Sequence, residues 1–221
     1  KCHASSEVLD GESEAWTPGP DLRAPRCGLA SALHPGTDSV YALGGYGGDA
    51  SHESTYLASV ERLCVGEGAS RGWTHTAPML HPRSGLSAST GPDNRIYVVG
   101  GTSDGYNMLN TAEVYDPRTD RWVAIAPLPY ERGFHAAGFG ADGKLYVFGG
   151  DKSGARDQFA PGGPTPPHPD SLGTPSRTVF AFDLARGDWL DLGTDIMPHH
   201  LANFQCVLTP QPPQMGVIPN R

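Results

Sequence analysis

The residues best suited to chemistry in this chain are three arginines that occupy the same place in a recurring pattern. Arg26, Arg83 and Arg132 begin the segments RCGL, RSGL and RGFH. A guanidinium group presents its N–H donors in a fixed plane that matches a carboxylate or neighbouring carbonyl oxygens. Two roles follow from this chemistry. Each arginine pins a nearby loop carbonyl, or the three together form an anion site for an acidic peptide or carboxylate.

A fourth copy of the pattern lacks the arginine. Leu201 stands in its place and follows His199 and His200. We include His200 with the three arginines as a candidate partner-binding residue. The histidine pair does not predict a metal site, since adjacent side chains of an extended strand point to opposite faces. We therefore predict no metal, no cofactor and no catalytic residue, and we expect His135 to be a structural histidine with satisfied hydrogen bonds.

The cysteines number four, an even count that raises the question of disulfides. Cys27 and Cys64 are expected two strands apart and on opposite sides, beyond the roughly 7 Å that separates bridged Cα atoms, and Cys206 has the same problem with Cys2. Free thiols are therefore expected, and these are typical of a reducing compartment. The first residue is not Met, so the chain is expected to be either processed or part of something longer. Processing would argue against a reducing compartment, so the localisation stays open.

The arginines lie in a repeating unit of short strands. Its clearest copy, residues 95–122, has a β-branched and aromatic run that ends at Gly100-Gly101, then a second strand, an Asp-Pro turn and a tryptophan. A strand that stops at a glycine pair needs positive φ or close backbone approach there. Strands with a double glycine recur at 40–45 and 145–150, and strands that lead to a tryptophan recur at 60–73 and 179–189.

The double glycine, the later tyrosine and the tryptophan, repeated about every 50 residues, resemble kelch repeats. In that family each unit is one four-stranded blade of a β-propeller, so the resemblance implies an all-β propeller with the aromatic residues in its core. Three copies cover about residues 22–193. The first copy departs from the family pattern, with Leu63 where tyrosine is expected.

The repeat predicts a single domain of four blades. Their expected bounds are about 22–76, 77–126, 127–193, and 199–221 joined to 1–18. In the shared blade, residues 5–18 supply outer strands, because Leu9 and Trp16 repeat the spacing of Tyr115 and Trp122, and residues 200–208 supply the innermost strand. Joining the termini removes sheet edges. A cut through a larger ring leaves the same ends, so both possibilities stay open.

Four tryptophans should occupy equivalent, largely buried positions between blades. They are Trp16, Trp73, Trp122 and Trp189. One segment breaks the repeat, residues 151–176, which is rich in proline and glycine and predicts a long surface loop. Strand order places this loop on the same side as the three arginines. It is either a tolerated insertion or a flap that contacts a partner.

Composition narrows the function. The net charge of the 221 residues is −8 and the basic residues are scattered, which disfavours nucleic acid as a partner. No apolar run reaches the roughly 18 residues of a transmembrane helix. Since every strong pattern is structural, we predict a non-enzymatic scaffold that binds a protein through its loop face, with an acidic peptide as the candidate partner segment. The alternative is a propeller enzyme acting on a sugar or small carbonyl compound.

Overall fold

The computed structural model describes residues 2–47, 55–65, 72–152 and 177–193. These residues form antiparallel strands and one short 3-10 turn at Pro35–Thr37, which confirms the all-β prediction. The strands are β1 (Glu7–Leu9), β2 (Trp16–Pro18), β3 (Arg26–Cys27), β4 (Ala30–His34), β5 (Ser39–Leu43), β6 (Tyr46–Gly47), β7 (Thr55–Tyr56), β8 (Val60–Cys64), β9 (Thr74–Thr76), β10 (Ser87–Thr90), β11 (Ile96–Val99), β12 (Ala112–Asp116), β13 (Arg121–Ile125), β14 (Ala136–Phe139), β15 (Leu145–Phe148), β16 (Val179–Asp183) and β17 (Asp188–Asp191).

Three four-stranded sheets make up most of the described chain. Sheet 1 has the order β4-β5-β8-β9, sheet 2 the order β10-β11-β12-β13, and sheet 3 the order β14-β15-β16-β17. Because successive strands run antiparallel, the link between the second and third strands lies on the same side as the link to the next sheet. The turns between first and second strands and between third and fourth strands lie on the other side.

The sheets pack face to face, with their innermost strands β4, β10 and β14 side by side. Between sheets 1 and 2, Tyr41 and Leu43 pack against Ile96 in a buried cluster. Between sheets 2 and 3, Tyr97 and Phe182 belong to a second cluster. Alternate side chains of each strand thus serve two interfaces, which is why the strands are apolar on both faces. This arrangement fits a β-propeller.

Three of the four tryptophans occupy equivalent buried positions, as predicted. Trp73, Trp122 and Trp189 are 8–9% exposed. Their indole Nε1 groups donate to the carbonyls of Pro20, Ala77 and Ala126 at 2.8–2.9 Å. Each acceptor lies four residues after the preceding tryptophan in the sequence, so the repeat is regular in space.

The prediction is wrong for Trp16, which is 64% exposed. It lies on the hairpin β1–β2, where Leu9 pairs with Trp16 as Tyr115 pairs with Trp122. The hairpin therefore has the predicted register of an outer blade half, but no described strand covers its inner edge. The expected partner strand at 200–208, and with it His199, His200 and Leu201, lies outside the described residues.

The double glycines join neighbouring sheets. Gly45 N donates to the carbonyl of Arg83 at 2.8 Å, and Gly101 N donates to the carbonyl of Arg132 at 2.8 Å. Both glycines have positive φ, +103° and +93°. A Cβ on Gly44, the other glycine of the first pair, would lie 2.5 Å from the carbonyl oxygen of Arg83, which leads into the next sheet. The glycine pair is thus required by close approach between one sheet and the next.

The cysteines differ from the expectation of free thiols. Cys2 and Cys27 form a disulfide with their Cα atoms 5.0 Å apart, whereas Cys64 is free. His3 pairs with Arg26, which places Cys2 directly opposite Cys27 on an antiparallel strand. The sequence argument compared Cys2 only with Cys206 and so missed this register. The expectation of a reducing compartment was based on free thiols, and Cys2 and Cys27 no longer support it.

The segment 153–176 and the residues from 194 onward lie outside the described part, as does the surface-loop prediction for 151–176. Asp151 and Lys152, which precede that segment, are on the side of the links between second and third strands, as expected. Among the described residues, no helix has the length and apolar character to cross a membrane.

Candidate functional site

The arginine of sheet 2 is enclosed by its own sheet. Arg83 is 0% exposed. Its Nη1 donates to the carbonyls of Gly100 at 2.7 Å and Thr111 at 3.1 Å, and its Nη2 donates to Glu113 Oε1 at 2.5 Å. The guanidinium therefore clamps the glycine pair to the third strand. Burial lowers the pKa of Arg83, and the charge of Glu113 opposes that shift.

The carboxylate partner is itself held by the backbone. Glu113 accepts hydrogen bonds from Leu80 N at 2.7 Å and from His81 N at 3.2 Å. Both donors belong to the link that leads into the innermost strand. A buried ion pair is favourable only when its remaining lone pairs are satisfied, and these two amides satisfy them. Arg83, Glu113 and the link thus form one polar unit.

Sheet 1 repeats the same unit. Arg26 is 3% exposed and donates to the carbonyls of Gly44 at 2.8 Å and Ser59 at 2.9 Å, and to Glu61 Oε1 at 2.6 Å. Glu61 Oε2 accepts from Arg23 N at 2.7 Å. Arg23 and Leu80 both lie three residues before the arginine of their sheet, so equivalent backbone amides bond the two carboxylates.

Sheet 3 keeps the arginine and loses the acid. Arg132 is 0% exposed, donates to the carbonyl of Gly149 at 2.6 Å and also bonds Thr178 Oγ1. Phe180 stands in the position of Glu113, and the guanidinium carbon lies 4.7 Å from the centre of its ring. Burial lowers the pKa of Arg132 to about 10. A cation–π contact thus replaces the ion pair.

The loss of the acid in sheet 3 is accompanied by the loss of the backbone amide that would bond it. Pro129 occupies the position of Leu80, whose N–H bonds Glu113 in sheet 2. Proline has no N–H, so the link no longer offers the amide that an acid would need. The next residue, Tyr130, places its ring 6.1 Å from that of Phe180. The acid and its amide donor are therefore replaced together by two aromatic rings.

These contacts bear on the two roles expected of the arginines, a clamp on nearby carbonyls or an anion site. The guanidinium groups of Arg26, Arg83 and Arg132 are buried and bond to carbonyl, hydroxyl or carboxylate oxygens of their own sheets. This is the internal role that the sequence allowed as an alternative. Each side chain turns into its own sheet, where the carbonyl of the first glycine of the pair accepts a hydrogen bond. His200 lies outside the described residues.

His135 differs from the expectation of a satisfied structural histidine. It is 4% exposed, and neither ring nitrogen has a hydrogen-bond partner among the described residues. Burial first, and then the charges of Arg132 and Arg83, lower its pKa to about 3. The ring is therefore neutral. Leu29 and Leu86 occupy the equivalent position, so a histidine here replaces an apolar core residue.

The side of the molecule that carries the strand links displays four tyrosines, which we call the tyrosine face: Tyr46, Tyr56, Tyr106 and Tyr130. Tyr46 is 37% exposed, Tyr106 59% and Tyr130 55%, whereas Tyr56 is half-buried. Tyr46 and Tyr56 are on adjacent strands β6 and β7, with ring centres 5.1 Å apart in an edge-to-face pair. Exposed Leu80 lies on the same side.

The loop that carries Tyr106 is held in one shape. Asp104 Oδ1 accepts from the amides of Tyr106 and Asn107, each at 2.8 Å, and Oδ2 accepts from Asn107 Nδ2 at 2.7 Å. These bonds, led by the Asn107 amide, lower the pKa of Asp104 to about 2. A Cβ on Gly105 would lie 2.5 Å from the hydroxyl of Tyr56, so the loop packs against β7. Tyr106 is thus presented on a preorganised loop.

Sequence reasoning missed the tyrosine face because it followed repeated residues. Tyr46 directly follows a glycine pair, and Tyr106 and Tyr130 lie in links between strands. An aromatic residue in a surface link is a signal of contact, since loops on rigid scaffolds commonly bind. Among the described residues, no group of three or more His, Cys, Asp or Glu side chains could hold a metal ion.

Comparison with known proteins agrees with the geometry. The kelch motif model matches residues 83–129, which run from the clamp arginine of sheet 2 through its glycine pair, Glu113 and Trp122. No curated protein matches the chain. The sheets on either side repeat the arginine position, the glycine pair and the tryptophan bond of the matched unit. Sheet 2 therefore carries a kelch motif, and the three sheets fit the blades of a β-propeller.

Proposed function

We propose that this chain is a protein-binding module that holds its partner on the tyrosine face. The observation that carries the proposal is the exposure of Tyr46, Tyr106 and Tyr130 on one side of the molecule. Tyrosine supplies a large apolar ring and a hydroxyl group at a low entropy cost, and it is enriched at the energetic centres of protein interfaces. Kelch propellers commonly serve as interaction modules.

The proposal moves the contact surface away from the arginines. An acidic peptide was the partner that an open guanidinium ring would favour. The three guanidinium groups are buried, and among the described residues the exposed carboxylates beside the tyrosines include those of Asp104 and Glu131. An apolar or basic segment therefore complements this face better than an acidic one, and the net charge of −8 supports the same direction.

Site-specific photo-crosslinking tests the proposal. A photoreactive amino acid is placed at Tyr106 and, separately, at Tyr130, and extract from the source of the protein is irradiated with each. The expected result is that both positions crosslink the same protein. Tyr106→Ala and Tyr130→Ala should then each weaken binding of that protein by about 1–2 kcal/mol, the cost of removing an interface aromatic.

Matched controls lie on the opposite side of the molecule. Arg118 and Arg186 are exposed in the turns between third and fourth strands of sheets 2 and 3. Photoreactive groups there should not reach the same protein. Crosslinks confined to these two control positions would place the partner on the other side and overturn the proposal. An enzymatic role on a sugar or carbonyl compound remains an alternative hypothesis that no described contact favours.

A further inference from the structure

The disulfide lies at the edge of the tyrosine face, and we propose that it is a reversible thiol-exchange site whose adducts regulate that face. The regulatory half rests on the proposed function, whereas the exchange chemistry does not. Cys2 and Cys27 are joined directly across two antiparallel strands, beside β6, which carries Tyr46. Three observations support the assignment: the exposure of the bond, the position of the Tyr46 carbonyl, and the bonds that hold the segment without it.

The bond is open to solvent. Cys27 is exposed and Cys2 is half-buried, so a thiolate in solution has access to the sulfur of Cys27. Structural disulfides that resist reduction are commonly buried, whereas exposed ones exchange readily. Cys64, in contrast, is half-buried, with Arg62 Nη2 lying 3.3 Å from its sulfur.

The reduced form has a hydrogen-bond acceptor in place. The carbonyl oxygen of Tyr46 lies 3.1 Å from Cys2 Sγ and 3.3 Å from Cys27 Sγ. A disulfide sulfur carries no hydrogen, but a thiol is a donor. On reduction, either thiol can donate to this carbonyl without movement of the strands. The same site therefore accommodates both redox states.

The segment that carries Cys2 stays attached when the bond opens. Arg26 N donates to the carbonyl of His3 at 2.9 Å, and Leu22 N donates to that of Ala4 at 2.8 Å. Ser6 adds a side-chain bond to the carbonyl of Pro20 at 2.8 Å. Opening the disulfide thus leaves the sulfurs close enough to form it again, which is what reversibility requires.

The exchange is a two-electron reaction with a small thiol such as glutathione. A thiolate attacks Sγ of Cys27, a bond forms between the two sulfurs, and Cys2 leaves as a thiolate that takes up a proton. A second thiol molecule then attacks the mixed disulfide and releases Cys27. The small thiol is oxidised to its disulfide, and the two cysteines are reduced. In the mixed-disulfide state the adduct lies beside Tyr46 and covers that end of the tyrosine face.

Differential alkylation of the purified chain tests the chemistry. N-Ethylmaleimide should label Cys64 but not Cys2 or Cys27 in the oxidised protein. After exposure to millimolar reduced glutathione under native conditions it should label all three, with an unchanged circular dichroism spectrum. Oxidised glutathione should restore the protection of Cys2 and Cys27. A pair that opens only in denaturant, or an oxidised protein without this bond, overturns the proposal.

The proposed regulation of the tyrosine face is tested separately, by comparing two cysteine variants. Cys2→Ser leaves Cys27 without its partner, so it can be loaded with glutathione, and Cys2→Ser/Cys27→Ser treated in the same way is the control. With the photoreactive group at position 106, the crosslink should fall several-fold only in the loaded chain. Equal crosslinking overturns the regulation. Loss of the crosslink from both proteins overturns the proposed function, and the alkylation result still decides the exchange chemistry.

Discussion

Sheets 2 and 3 each contain a buried arginine just before the innermost strand, but they stabilise it with different contacts. Sheet 2 pairs Arg83 with Glu113 and satisfies the carboxylate with backbone amides. Sheet 3 lays Arg132 against Phe180 and removes the amide with Pro129. Sheet 3 departs at two further positions, with Phe134 at a φ of +55° where Gly85 has +62°, and with His135 in place of a leucine.

The comparison teaches that the repeat preserves the cation and its carbonyl acceptors rather than the ion pair. In all three sheets the guanidinium bonds the carbonyl of the first glycine of the pair: Gly44, Gly100 and Gly149. The counter-charge is replaceable, since an aromatic face also attracts a cation.

The largest expected effect is from Glu113→Ala. It removes the only carboxylate that Arg83 contacts among the described residues and leaves a buried charge unpaired. We expect a loss of about 3–5 kcal/mol in the free energy of unfolding. Denaturant titration measures it, and Arg118→Ala, at an exposed turn, is the control. If the loss of unfolding free energy is smaller than that expected from breaking a surface ion pair, the carbonyl bonds alone are enough to hold Arg83.

His135→Leu should remove a pH dependence of stability. The pKa of His135 is about 3 in the folded chain, below its ordinary value near 6.5, so the unfolded state binds more protons between these limits. Stability is therefore lost as pH falls from about 6.5 toward 3. At pH 4.5 the variant should be more stable by about 2–3 kcal/mol. Unfolding curves at pH 7 and 4.5 check this, and equal pH slopes for both proteins would contradict it.

Phe180→Glu and Pro129→Leu should be coupled. The glutamate alone meets Arg132 but lacks the amide donor that sheet 2 provides, and the leucine alone supplies an amide without an acid. We expect the double variant to be more stable, by about 1–2 kcal/mol in unfolding free energy, than the sum of the two single changes predicts. This value is within the range for residues in one network. A double-mutant cycle of unfolding free energies measures the coupling. Simple additivity would mean that the two replacements in sheet 3 are independent.

The smallest expected effect is from Trp16→Ala. Because Trp16 is exposed in the hairpin β1–β2, its removal should change the unfolding free energy by less than about 0.5 kcal/mol. The same change at Trp122 should cost far more. That residues 199–221 complete this blade stays a prediction from the sequence, and they lie outside the described residues. A large loss for Trp16→Ala in the chain would favour that closed blade over the open hairpin.

The three arginines show how much of the candidate site could be predicted from the sequence. The RCGL, RSGL and RGFH segments identified equivalent residues correctly, because repeats align in sequence as they do in space. Their burial was not predictable, since the acceptors that enclose them are distant in sequence; Glu61 and Glu113 lie 35 and 30 residues after Arg26 and Arg83. Local sequence carries no information on where a long side chain turns.

The sequence by itself determined the all-β class, the strand order of the repeats and the positions of the glycine pairs and buried tryptophans, because alternation and turn chemistry act locally. Tertiary structure alone decided the rest. The pairing of Cys2 with Cys27 depends on the register between the segment of His3 and β3. The tyrosine face depends on which links emerge on one side. Both are set by how distant strands pack, and the exposed or buried state of each side chain follows from that packing.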